Sequence, residues 1–98
     1  MKARVLLNRR VVVAVNAFAE LAVWQIPQPV PGNIHHFKYR LAFVVDGVCI
    51  LRYDNEAGKG GHKHIGEVET PYVFSTPAQL AADFWNDVRR WRGENESK

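Results

Sequence analysis

The stretch Phe37–Val45 limits the fold more than any other, because Phe37, Tyr39, Leu41, Phe43 and Val45 alternate with Lys38, Arg40, Ala42 and Val44. Successive side chains of a strand point to opposite faces, so this spacing predicts a strand with one fully apolar face. Asp46-Gly47 follows and can supply the two positive-φ positions of a type I′ turn. That turn predicts a hairpin with Val48–Asn55 as the returning strand. Counted outward from Val45 opposite Val48, with no bulge, Phe43 meets Ile50, Ala42 meets Leu51, Arg40 meets Tyr53 and Lys38 meets Asn55.

Ala3–Leu7 and Val11–Val15 read as two strands, or as one long bulged strand, and Phe18–Ile26 as a further strand closed by Pro27. Pro27-Gln28-Pro29-Val30-Pro31-Gly32-Asn33 reads as an extended crossover connector, since three prolines remove ladder donors. Beyond Asn55, His62–Val68 is expected as one returning strand and Tyr72–Phe74 as a last short one. Thr76-Pro77-Ala78-Gln79 has the form of a helix start, with a threonine cap, proline at the first helical position and glutamine three after the cap. Leu80, Phe84, Val88 and Trp91 then form one apolar stripe, which Gly93 is expected to end. Arg89, Arg90 and Arg92 fall in the expected last turn, where cations suit the helix dipole.

These elements predict an α+β fold over residues 1–98 as one domain. It is an antiparallel β-meander of about five strands with one C-terminal helix packed on the Phe37, Tyr39, Leu41, Phe43 face. A chain 47% hydrophobic and 23% charged belongs with globular rather than disordered proteins. Cys49 is the only cysteine, which excludes an intrachain disulfide and suits the cytoplasm. Lys2, Arg4, Arg9 and Arg10 before Val11–Val15 imitate a secretion signal, but Asn16 cuts the apolar run to five residues. No run is long enough to span a membrane. The net charge of +3 allows an anionic partner without requiring one.

The chemistry is concentrated in Tyr53-Asp54-Asn55-Glu56-Ala57-Gly58-Lys59-Gly60-Gly61-His62-Lys63-His64, a segment too rich in glycine to be core. Gly58 and Gly60 permit positive φ and close approach to a phosphate. His62 and His64, two apart, share a face if extended, and imidazole is the side chain whose charge ordinarily changes near neutral pH. Such a pair suits cleavage of RNA at its 2′-hydroxyl, with one ring as base and the other as acid, no metal and no cofactor. Lys59 and Tyr53 complete the expected catalytic group and Asp54 would orient a histidine. Lys38, Arg40 and Lys63 would hold phosphate. With Asn55 opposite His62 and Tyr53 opposite His64, these groups would meet on the face of Lys38 and Arg40. A surface hairpin with solvated histidines accounts for the same spacing. A metal site drawing on His62, His64, His35, His36, Asp54 and Glu56 is weaker, because His-x-His supplies two ligands and adjacent histidines face apart. A Walker phosphate loop is excluded by the absence of its first glycine and of a Ser or Thr after the Gly-Lys pair.

Tyr53-Asp54-Asn55-Glu56, Gly58-Lys59-Gly60 and His62-Lys63-His64 resemble the central motif of the TumE family, toxins of bacterial type II toxin–antitoxin pairs. The likeness extends to Trp24-Gln25-Ile26-Pro27-Gln28-Pro29-Val30-Pro31, to Phe37-Lys38-Tyr39-Arg40-Leu41 and to Asp83-Phe84. It implies a growth-inhibiting toxin neutralised by a cognate antitoxin, often one with a DNA-binding helix-turn-helix. Ribonuclease activity or translation inhibition is the expected action, and RNA the expected substrate. A non-catalytic module that docks on a protein or nucleic acid is the alternative. A second copy of the chain is a further candidate partner.

Overall fold

A computed structural model describes residues 3–56, 58 and 60–96. Six strands follow one another in space as they do in sequence: β1 (Arg4–Ala14), β2 (Ala17–Gln25), β3 (Phe37–Val45), β4 (Val48–Asp54), β5 (His62–Ile65) and β6 (Val68–Pro71). All neighbours are antiparallel. The α+β meander is as expected, with one strand more. The N-terminal runs form a single strand with register shifts at Val5/Leu7 and Val12/Ala14.

β3 spans the predicted residues, and Asp46 and Gly47 take φ of 51° and 77°, as a type I′ turn requires. The ladder beyond the turn differs from the plain count. A bulge at Ile50 places Leu51 opposite Phe43, Tyr53 opposite Leu41 and Asp54 opposite Arg40. Because strands alternate with period two, this one-residue slip sends Tyr53 to the helix side and Asp54 to the other. The segment expected as one strand over His62–Val68 is instead the β5–β6 hairpin, turned at Gly66 (φ 61°) and Glu67. Tyr72–Phe74 is not a strand; Tyr72 and Phe74 pack on the core from the segment that leads to the helix.

The helix α1 (Pro77–Glu96) lies on the face bearing Leu21, Val23, Tyr39, Leu41, Phe43, Leu51 and Tyr53. Leu80, Phe84 and Val88 are buried there, and half-buried Trp91 meets the edge of the Phe43 ring at 5.7 Å. Thr76 Oγ1 accepts from the Gln79 amide at 3.1 Å, but the Gln79 side chain donates forward to Asp83 at 2.8 Å. Gly93 does not stop the helix. A glycine costs a helix only about 1 kcal/mol, and Asn95 donates to the Trp91 carbonyl at 2.8 Å in the next turn. The three arginines therefore lie short of the final turn.

The proline connector is pinned to the glycine turn. Asn33 Nδ2 donates to the Asn55 carbonyl at 3.1 Å, and a Cβ on Gly32 (φ 90°) would stand 2.7 Å from both Gly58 O and Gly60 N. Fully buried Asn55 extends the β3–β4 pairing by its side chain, accepting from Tyr39 N–H at 3.0 Å and donating to Phe37 O at 2.8 Å. The turn before His62 thus has a fixed base.

Candidate functional site

On the sheet face opposite the helix, two rows of side chains run across the strands. One is Arg40, Asp54 and His62, and the other is Arg52, His64 and Glu69. With Glu56 they line a hollow of about 420 Å³. The bulge creates this arrangement, because it puts Arg52 and Asp54, rather than Tyr53, on the histidines' face.

The two imidazoles meet edge to face with centroids 5.1 Å apart. His62 is buried, against the expectation of an exposed turn. Its Nε2 lies 3.0 Å from Asp54 Oδ1 and its Nδ1 3.3 Å from the Gly60 carbonyl. Both ring nitrogens face acceptors, so His62 can donate to both only as the imidazolium. His64 is more open. Its Nε2 lies 2.9 Å from Glu69 and 3.2 Å from Arg52 Nη2, so it donates to the carboxylate when that nitrogen is protonated and accepts from the guanidinium when it is not. Arg52 Nε also stands 3.1 Å from Asp54. Arg40 has no ion-pair partner among the described residues. Among the described residues two guanidiniums and three carboxylates line the hollow, so a single imidazolium balances their charge.

Four expected site residues, His62, His64, Asp54 and Arg40, share this hollow. Lys38 stands on the same face beside it, paired with Glu56 at 3.5 Å. Gly58 and Gly60 adopt φ of 74° and 78°, and the Gly60 carbonyl supports His62. Lys59 lies outside the described residues. Tyr53 and Lys63 are on the opposite face, where Tyr53 Oη–H and Lys63 Nζ (3.1 Å) both donate to the buried Asp87 carboxylate. Burial, then the hydrogen bond and charge of Asp87, push the Tyr53 phenol well up from its ordinary value, which holds it neutral in the core. Tyr53 is therefore removed from the histidines by the slip that brings in Arg52.

Sequence reasoning missed Arg52 and Glu69. Arg52 stands two residues from Asp54, the spacing of a shared face, and Glu69 lies three residues after Gly66, which allows a tight turn. The nitrogens of His62 and His64 and a Glu69 oxygen lie within 4.8 Å of one another, a set that could hold a metal ion. His35 takes no part in it; its ring packs 4.3 Å from Phe74.

A family model described as Toxin TumE matches residues 2–92. No curated protein and no solved structure matches the chain.

Proposed function

The chain belongs to the TumE toxin family, and from that premise we propose that it is a toxin that cleaves RNA without a metal, with His64 as base and His62 as acid. Family membership carries the toxin role and a cognate antitoxin as partner. The observation that supports the chemistry is the His62–His64 pair, in which one ring is fixed between two acceptors and the other stands between a donor and an acceptor. His64 takes the proton of a ribose 2′-hydroxyl, and the resulting 2′-oxygen attacks the adjacent phosphorus. His62 gives its proton to the departing 5′-oxygen, leaving a 2′,3′-cyclic phosphate and a 5′-hydroxyl. Arg40 and Arg52 neutralise the charge that gathers on the phosphoryl oxygens in the transition state. Asp54 orients His62 and Glu69 orients His64.

One ring must be neutral and the other charged, so the cleavage rate is bell-shaped in pH. His62→Gln and His64→Gln each lower it by roughly 100-fold or more. The test is cleavage by purified protein in EDTA, wild type against both variants across pH, with far-UV circular dichroism to confirm folding. A flat profile or full activity in both variants would move the chemistry away from His62 and His64, whereas no cleavage by folded wild-type protein would favour the non-catalytic docking module. Rescue by added zinc would favour the His62, His64, Glu69 metal site. In cells, growth arrest by the chain alone and its relief by the antitoxin, here proposed to be a helix-turn-helix protein, report on the toxin role.

A further inference from the structure

A second hollow, of about 440 Å³, continues the first across the same face, and Arg40 lines both. Strand alternation explains where it lies. From His64 the lateral neighbours are Arg52, Ala42, Glu20 and Arg10; from His62 they are Asp54, Arg40, Ala22 and Asn8. Ala22 and Ala42 are the smallest side chains in these rows, so the face dips there between taller neighbours. Neighbouring strands lie about 4.8 Å apart, so β5 to β1 spans about 19 Å.

The lining of this trough suits a polyanion with flat apolar parts. Among the described residues Arg10 and Arg40 have no ion-pair partner, and Glu20 is the one acid that lines the hollow. A guanidinium without an internal partner can bind phosphate without first breaking a salt bridge. Trp24 forms one wall, with the Lys38 ammonium 5.3 Å from its ring centre, and Arg10 lies 3.8 Å above the Phe18 ring. Aromatic groups set among cations along a groove bind single strands by stacking bases and neutralising phosphates.

We propose that this trough is a track for single-stranded RNA, seating the nucleotides next to the one cleaved at His62 and His64. A base rests on Trp24 and a phosphate on Arg10. The proposal rests on the ribonuclease reading for its direction, but binding can be measured without cleavage. The probe is a fluorescent 2′-deoxy oligonucleotide of about eight nucleotides, which lacks the attacking hydroxyl and is long enough to cross the sheet. Trp24→Ala should weaken its binding roughly tenfold, and Trp24→Phe should restore most of that loss. Arg10→Gln should flatten the slope of log affinity against log salt by about 0.7. Bound oligonucleotide should also shield the exposed Cys49 thiol, on the trough's rim, from alkylation. Unchanged affinity in both Trp24→Ala and Arg10→Gln, with Cys49 still reactive, overturns the track. Loss of antitoxin binding in these variants with oligonucleotide affinity intact also overturns it and assigns the face to the protein partner. If the track variants behave as stated while His62→Gln and His64→Gln cleave normally, the track stands and the acid–base reading fails.

Discussion

Tyr53 and Asp54 are adjacent in the chain, yet the strand sends one into the core and the other to the histidines. The two residues therefore answer to different measurements. Tyr53→Phe removes a hydrogen bond to the buried Asp87 carboxylate, leaving Lys63 as that carboxylate's other donor. The loss should cost about 1.5 to 3 kcal/mol in urea unfolding, the worth of a hydrogen bond to a charged group. RNA cleavage by the folded variant should equal that of wild type. A large loss of cleavage with unchanged stability would return Tyr53 to the chemistry.

At the scale of elements, the legible parts were those whose pattern is local. β3, its turn and the helix stripe each repeat with a period that a few residues display. The β4 register was not legible from the turn alone, because Val48-Cys49-Ile50-Leu51 is apolar throughout and Ile50 carries no glycine to mark a bulge. The signal lay further on. Leu51 and Tyr53 alternate with Arg52 and Asp54, and a phase that buries the first pair conflicts with a plain count from Asp46-Gly47. That conflict is the bulge. The β5–β6 hairpin was missed because each strand is four residues long and β6 is exposed throughout, so neither develops a periodic pattern. Since Ile50 is the extra residue, deleting it leaves Leu51, Tyr53 and Asp54 opposite their present partners. The deletion loses a half-buried side chain and the carbonyl that accepts from Gly66 N–H at 2.9 Å. It should cost a few kcal/mol yet retain a cooperative fold and the site. Deleting Arg52 should instead either turn Tyr53 outward and Asp54 into the core or, with the bulge closed, put Leu51 in the place of Arg52 on the histidine face, and in both cases RNA cleavage should be lost. Equal behaviour of the two deletions would refute the observed register.

Across the whole molecule, the interface of helix and sheet is held by phenols as well as by aliphatic packing. Tyr53 donates to Asp87 and Tyr72 to Asp83, tying β4 and the segment before the helix to α1. Burial, and next the charge of Asp54, push the Tyr39 phenol from 10.0 up to about 12; burial and the carboxylate hydrogen bond raise Tyr72 as they do Tyr53. Above pH 10 the unfolded chain loses these protons while the folded chain keeps them, so the folded state binds more protons. Stability from the neutral phenols is then fully present below pH 10 and declines as pH rises towards 12. Urea midpoints measured from about pH 8 to about pH 11 should fall only in the upper part of that range. A flat series would mean that the phenols are exposed. The strand order carries a different consequence, one of timing. Each strand pairs with its chain neighbour, so during synthesis the sheet can be laid down in the order in which it is made. All the described residues that line the histidine hollow have been made by Glu69, but Tyr39, Leu41, Phe43 and Tyr53 stay uncovered until the helix arrives. A nascent chain can thus carry every group that lines the histidine hollow and still lack the rigid floor that aligns them. On the proposed ribonuclease reading, the twenty residues Pro77–Glu96 set the moment at which cleavage begins.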